Sequence, residues 1–497
     1  SKGQTHTMVW AALSTLALKS PVAWMKVSAP VQVFGTSLPE LVIHAFPGTS
    51  TQITTSQWVS DWLFDLEDSH DDKRFRNKCS YSPHELTPHY ATARHMLGAA
   101  RNPHLTPIDH IFRKVATDMG RAERFEATDV AVYFGEPGKR VPDPYFGGKG
   151  PERTGCTFCG GCMLGCRFGA KNTLDRNYLY LAERLGLTVR TEAEVVHVAP
   201  LPGGEPGANG YRVETSEGPG LRRRTSQAYE ADQVIFSGGV MGTVDLLLRL
   251  KEEPDGLPLL SDRLGDFVRT NSESLIAVTS RDRELDLSAG IAISSIIHTD
   301  DHSHVEPVRY PAGSNFFRTM MAPHVQGESS FVRVARMLGS ALRHPIKLAR
   351  AVAVSDMSKY SIILLYMRSA EGTLRFQLGF GDQMGSTVST GKAPSASIAE
   401  ATDIAERVAD RIDGLPMSMV QETVFNIPTT AHILGGCCMG DSPETGVIDH
   451  RHRVYGYEGL YVIDGSAVSA NPGVNPSLTI AALAERAMTF IPANLRV

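Results

Sequence analysis

His432 and Asn475 are the side chains whose type and setting offer chemistry most directly. His432 opens the run His432-Ile433-Leu434-Gly435-Gly436, and Asn475 stands in Gly473-Val474-Asn475-Pro476. A neutral imidazole can take or position a proton near neutral pH, because its unperturbed pKa lies there. An asparagine amide can donate to the same oxygen, or orient it, without changing charge. Singly, each has a plainer use, His432 capping a loop and Asn475 capping a helix. The glycine frames around both favour a joint role in handling one proton.

A second constellation is inorganic in character. Cys156-x2-Cys159-x2-Cys162-x3-Cys166 has the spacing of the bacterial ferredoxin run, in which cysteines of one tight loop reach one iron–sulfur cube. The proline that commonly follows the fourth cysteine is absent, and Arg167 stands there. A single zinc more often draws on two separated cysteine pairs. Three readings stay open: an iron–sulfur centre, a structural thiol or zinc loop, and an inert remnant. Cys437-Cys438, close to His432, read as packing.

These residues need elements to hold them. Tyr461-Val462-Ile463 reads as the end of a buried strand, with Asp464-Gly465 as the tight turn leaving it. Asn475 is a good N-cap with Pro476 at the first helical position, and Ser477 to Met488 carry helical apolar spacing. The N–H groups and positive potential of a helix N-terminus suit phosphate or a negatively charged ring. Gln233 to Phe236 is a second buried strand, running through Ser237 into Gly238-Gly239, and Thr243 to Leu250 is an apolar helix. Ser82-Pro83-His84-Glu85 and Thr106-Pro107-Ile108-Asp109 both have the capping-box form, and Gly120 ends the second helix. Thr173 to Leu185 reads as a helix, Thr188 to Val198 as a strand, and Tyr211–Thr215 with Thr225–Tyr229 as a strand pair.

Size and composition narrow the class. The chain has 497 residues, enough for a large core and two interleaved domains. Its 42% hydrophobic and 21% charged content is ordinary for a globular protein, and a net charge of −5 gives no reason to expect nucleic acid. No apolar run is long enough to span a bilayer as a helix. Val9 to Leu18 reads as a buried helix, with a secretory h-region as the alternative. Four of seven cysteines fall between Cys156 and Cys166, which points to a reducing compartment rather than a disulfide framework. Ser329 to Ser355 contains no acidic residue but sets Arg333, Arg336, Arg343, Lys347 and Arg350 among apolar residues. That pattern fits an anionic lipid surface, although a solvated lid helix interrupted at Pro345 fits slightly better.

The order of motifs from His432 to Pro476 resembles the C-terminal signature of the glucose–methanol–choline (GMC) flavin oxidoreductase family, most of all its cholesterol oxidase-like branch. The resemblance runs from about Ser82 to the C-terminus. It implies an α/β fold in which an FAD-binding Rossmann-like domain is interleaved with a substrate domain of β-sheet and helices. The expected divisions are an unassigned 1–80, FAD-binding parts at 81–265 and 417–497, and a substrate domain at 266–416. FAD would lie against Val195, Gly238, Gly239, Asp464, Gly465, Asn475 and Pro476. The substrate would be a bulky apolar secondary alcohol such as a 3β-hydroxysteroid, with oxygen as acceptor and peroxide as product. His432 and Asn475 would hold and deprotonate the hydroxyl. Val305-Glu306-Pro307-Val308-Arg309 resembles the strand whose carboxylate moves a proton from C4 to C6, although Glu306 could instead pair with Arg309. Gly169-Ala170-Lys171-Asn172-Thr173, after the cysteine run, resembles a subgroup that carries this loop beside the flavin domain. One departure is large. No Gly-x-Gly-x-x-Gly occurs anywhere in the chain, so residues 1–80 are unmatched, through truncation, an altered gene start or a different N-terminal fold. The alternatives are a dehydrogenase passing electrons through the cysteine loop to another acceptor, and an inactive truncated homologue or metal-binding remnant. A cytoplasmic protein is expected, membrane-associated through 329–355, with secretion left open.

Overall fold

The computed structural model describes residues 8–11, 83–218, 225–315, 321–327, 329–343, 353–370, 372–391, 397–425 and 428–491, with a few single positions between them. Three parallel strands form one centre. Gln233–Phe236 pairs with Met8–Ala11 on one side and with Leu460–Val462 on the other. Val234, Ile235, Phe236, Leu460 and Val462 are all fully buried, as the unbroken apolar runs of a parallel sheet covered on both faces require. The helix Gly239–Glu252 leaves this sheet and packs Val244, Leu247 and Leu250 into the same core. Beside it stands an antiparallel sheet of Ala193–Pro200, Tyr211–Glu217 and Thr225–Ala231.

The second centre is a seven-stranded sheet. Its order is Met321–Pro323, Gly414–Met419, Ser274–Ser280, Ser361–Arg368, Ser303–Val308, Ser295–His298 and Phe125–Ala127. It therefore draws strands from both sides of the 266–416 segment. One face is covered by the helices Pro107–Asp118 and Ala399–Arg411, through Phe112, Val115, Ile404 and Val408 against Ile276, Ile297, Val305 and Leu364. Alternation along a strand turns the next residue to the other face, so Val305 enters this core while Glu306 points away from it. The other face carries Val308, Leu365 and Met367, on which Cys162 and Met163 of the cysteine loop rest.

A buried ionic node ties the 107–118 helix to this sheet. Asp109 accepts from the Thr106 backbone N–H at 2.7 Å, closing the capping box, and from the Ser294 and Ser295 hydroxyls at 2.5 and 2.6 Å. Arg309 lies 3.6 Å from Asp109, fully buried, and donates to Thr106 Oγ1 and Ser294 Oγ at 3.0 and 2.6 Å. Arg309 is thus committed to Asp109, and the expected alternative of a Glu306–Arg309 pair is overturned.

Several local expectations also shift. The Val9–Leu18 helix is replaced, over Met8–Ala11, by a strand; its remaining residues lie outside those described. The 173–185 helix is broken into a 3-10 turn, Leu174–Arg176, and a short helix, Tyr178–Glu183, because Asn177 leaves helical geometry at φ −136°. The strand expected over 188–198 runs from Ala193 to Pro200. Pro83 opens a helix to Met96, and Ser82 lies outside the described residues. The last helix is Ser477–Met488 with Pro476 at its N-cap, so Asn475 lies one residue outside it and is released from capping.

Candidate active site

The site is assembled by a short antiparallel contact. Arg269 and Leu434 exchange both backbone hydrogen bonds, at 2.8 and 3.0 Å, which runs 269–273 alongside 430–434. Gly435 then bonds back to the Gly465 carbonyl and Cys437 to the Ser466 carbonyl, sewing the histidine loop to the turn after Leu460–Val462. Gly435 sits at φ 82°, and a Cβ there would come 2.1 Å from the Phe267 carbonyl oxygen, so only glycine fits.

Glu273 is the centre of this assembly, and its role had no signature in the sequence. It is buried, yet Thr430, Ala431 and His432 of the adjoining loop turn donors to it. Thr430 Oγ1 donates at 2.7 Å, the Ala431 N–H at 2.9 Å and the His432 N–H at 3.1 Å, while His432 Nδ1 lies 2.9 Å from Oε1. The preceding Ser272 is held at φ 46°, a left-handed conformation costly for a residue with a Cβ. Burial alone would push the Glu273 carboxyl up; His432 and the loop donors hold it below its ordinary value. For His432 the balance runs the other way. Burial opposes its charge, but Glu273, Glu306 and Asn475 together raise its pKa above the ordinary histidine value.

Nδ1 is spent on Glu273, which leaves Nε2 for another partner, and Asn475 is among the groups that favour the ring's charge. The Asn475 Nδ2 in turn donates to both oxygens of Glu306, at 3.2 Å each. Behind Glu306, His304 Nε2 lies 3.2 Å from Oε1 without the alignment a hydrogen bond needs. The three expected catalytic residues therefore meet, in the order Glu273, His432, Asn475, Glu306. Asn475 is held from behind, because Asn271 Nδ2 donates to the neighbouring Val474 carbonyl at 2.8 Å. Gly473, at φ 63°, lets this turn approach Ser369, whose Oγ would lie 2.4 Å from any Cβ.

The expected cofactor wall is braced by Asp464. Its Oδ2 accepts from the Gly239 N–H at 2.9 Å and Thr243 Oγ1 at 2.5 Å; its Oδ1 accepts from the Ser466 N–H and hydroxyl at 2.8 and 2.5 Å. Burial pushes this carboxyl up, against those donors. Asp464 is thus an internal strut joining two glycine turns, and it offers the cofactor a fixed backbone rather than an oxygen. The fit of a flat dinucleotide rests on the wall itself. A Cβ on Gly239 would meet nothing within 4 Å, so a ligand can lie directly on that backbone. Gly465, Pro476 and the N-terminus of Ser477–Met488 continue the wall toward His432. Val195 is fully buried in the apolar core, leaving only its main chain to contribute.

Residues 151–250 and 369–484 each match the GMC oxidoreductase family. A cholesterol oxidase from Acinetobacter baumannii is 41% identical over 420 residues, 82% of this chain and 75% of its own. One from Mycobacterium tuberculosis (strain ATCC 25618 / H37Rv) is 42% identical over 425 residues, 82% of this chain and 72% of its own. The chain belongs to the GMC oxidoreductase family. Pyridoxine 4-oxidase from Mesorbium loti is a more distant likeness, at 13% identity and TM-score 0.45 over 79% of this chain and 71% of its own. As a GMC enzyme the protein is an FAD-dependent alcohol oxidoreductase. FAD, when bound, supplies the acceptor for the carbinol hydrogen. Beside that wall the chain brings together an imidazole, a carboxamide and a carboxylate.

A protonated His432 cannot take the hydroxyl proton, so activity must rise with pH through its raised pKa. Glu273→Gln removes the anion that raises it. The acidic limb of kcat/KM is expected to move to lower pH in that variant, with kcat down by roughly 10²-fold from lost orientation. An acidic limb at the wild-type position would show that Glu273 does not set the charge of His432.

Proposed function

We propose that this enzyme oxidises a bulky apolar secondary alcohol, most readily a 3β-hydroxysteroid such as cholesterol, to the ketone, with dioxygen taking up the electrons to give hydrogen peroxide. One observation carries the reading. Asn475 donates to both oxygens of Glu306 and favours the charge of His432, so a group for an O–H proton and a carboxylate for a C–H proton lie within the span of one molecule. A Δ5-3-ketone has such an acidic C–H at C4. Glu306 would break that C4–H bond, carry the proton and form a new C–H bond at C6, leaving the conjugated Δ4-3-ketone. The two cholesterol oxidases of similar sequence support the substrate class. With cholesterol, Glu306→Gln is expected to keep making peroxide and ketone while formation of the conjugated enone falls by about 10²-fold or more. Conjugation at the wild-type rate would remove Glu306 from that step; absence of ketone with every 3β-hydroxysteroid would remove the sterol itself.

Delivery of such a substrate calls for a lipid surface, and one helix suits it. Ser330–Arg343 turns Phe331, Leu338 and Leu342 outward, 82%, 55% and 82% exposed, at positions i, i+7 and i+11 of a single stripe. Arg336 and Arg343 are exposed beside it, whereas Arg333 turns inward and donates to the Gly327 and Glu422 carbonyls at 2.6 and 2.9 Å. An outward apolar stripe with flanking cations fits an anionic bilayer, which would make this a peripheral enzyme on the cytoplasmic face of a membrane. Wild type should co-sediment with phosphatidylserine-containing vesicles, and Phe331→Asp with Leu342→Asp should stay in the supernatant. Equal recovery of both proteins would remove the helix from membrane contact.

A second reading sends the electrons through the cysteine loop to another acceptor. Cys156 and Cys166 Sγ accept the Phe158 and Ala170 N–H groups, at 3.4 Å each, as thiolate ligands of a cluster do. No three of the four sulfurs lie within 4.8 Å of one another, while zinc, with 2.3 Å Zn–S bonds, would hold them about 3.8 Å apart. Anaerobically purified protein should then carry stoichiometric iron and sulfide that Cys159→Ser loses, and iron-free protein would end this reading.

A further inference from the structure

The hydroxyl proton that reaches His432 must leave again, and the front of the site is closed to it by the alcohol, the cofactor wall and the Asn475–Glu306 contact. The back is different. Behind Glu273 lies a void with room for about one water molecule, lined by Thr270, Glu273, Leu374, Pro394, Pro428 and others of that loop. It shares Thr270, Leu374 and Pro394 with a larger cavity of about 310 Å³. That cavity presents Thr270, Ser272, Arg368, Thr373 and Ser395, and it opens toward the surface, so several waters can occupy it. Neither void reaches His432, Asn475 or Glu306, so neither belongs to the place where the alcohol is handled.

We propose that this pair of voids is the proton exit of the enzyme, running from Glu273 past Thr270 into the hydroxyl-lined cavity. It rests on the reading that His432 takes the hydroxyl proton. The alcohol O–H bond breaks and an N–H bond forms at Nε2; the Nδ1–H bond breaks and the proton passes to Glu273. From there it moves to water in the small void and then to water in the large one. Glu273 ends with the protonation it began with, the imidazole is left as its Nε2–H tautomer and returns to the Nδ1–H form before the next turnover, and the net product is one proton in solvent. Thr270 is the positioning residue of the route. Its Oγ1 accepts from the Ser272 N–H at 3.2 Å, which leaves its hydroxyl hydrogen to bond a water at the junction.

The charged groups around the small void fit a site that passes protons. Glu422, buried, accepts the Thr429 N–H at 3.1 Å from the opposite side of the same loop. Burial raises its carboxyl to about 7, against the Thr429 donor and Arg333. Arg333 stands behind Glu422, Glu306 faces His432 from the alcohol side, and Arg368 lines the outer cavity.

The test is Thr270→Ile, which fills the junction, beside Thr270→Ser, which keeps the hydroxyl. Using a turned-over alcohol and a pH-indicator dye in stopped flow, wild type and Thr270→Ser should release the proton together with ketone formation. Thr270→Ile should release it late, at least 10-fold slower than wild type, with an enlarged solvent deuterium effect on kcat and an unchanged KM. In resting holoenzyme, exchange of the His432 Nδ1 proton with water, read from the 15N-histidine line width, should slow in the same variant. Proton release and Nδ1 exchange at wild-type rates in a normally folded Thr270→Ile would overturn the exit. Full activity in His432→Ala would instead overturn the reading on which it rests.

Discussion

A single carboxylate buried away from water organises this site. An ionised Glu273 is tolerable only if nearly every lone pair is answered, since an unpaired buried charge costs several kcal/mol or forces neutralisation. The chain answers it with one segment. Thr430, Ala431 and His432 supply a hydroxyl, two backbone N–H groups and an imidazole, and in doing so they take the only conformation in which all four converge. The position of the catalytic ring is therefore a by-product of solvating Glu273. The left-handed Ser272 shows that the backbone accepts strain to keep the carboxylate there.

The second constraint is the two-residue period of the seven-stranded sheet. Because Val305 belongs to the helix-covered core, Glu306 must face the opposite side, and a one-residue slip would exchange them. The register is pinned on either side of that strand. Val305 lies opposite Tyr366 and Ile297, while just beyond its end Arg309 is locked to Asp109 from the 107–118 helix. The charged pair that looked, in sequence, like a competitor for Glu306 in fact fixes where Glu306 points. Asn475 closes the gap between the two centres. It stands just before the Pro476 N-cap of the last helix, and its side chain crosses from the parallel-sheet centre to the carboxylate of the other sheet.

Much of this was legible in order but not in depth. Strand–turn–helix after Tyr461 and the second glycine turn after Phe236 follow from local chemistry, because each element is specified within a dozen residues, whereas the joint use of His432 and Asn475 came from the family resemblance. Glu273 was not legible. It lies among serines ahead of a strand, looks like a surface carboxylate, and acquires meaning only through a contact 159 residues away. The bonding of Asp464 was not legible, since whether a carboxylate faces a ligand or its own backbone depends on donors from Thr243 and Gly239. The 173–185 helix failed for a local reason, Asn177, whose side chain bonds the Tyr178 N–H and competes with helical pairing.

The charge balance around His432 also bears on how the enzyme uses a histidine at all. A ring flanked by Glu273 on one side and Glu306 across Asn475 on the other is biased toward imidazolium, which is a poor starting state for a base. The same bias is an advantage once the hydroxyl proton has been taken, because the product of that step is the ion the site already favours. A weaker bias would leave the ring free more often but stabilise the protonated state less; a stronger one would leave it rarely free. Where the balance sits is set by how completely Glu273 is answered by its own loop: each backbone N–H that it keeps lowers the field it can apply to the ring. The three donors from Thr430, Ala431 and the His432 main chain therefore do more than solvate a carboxylate. They tune the strength of the base that follows them.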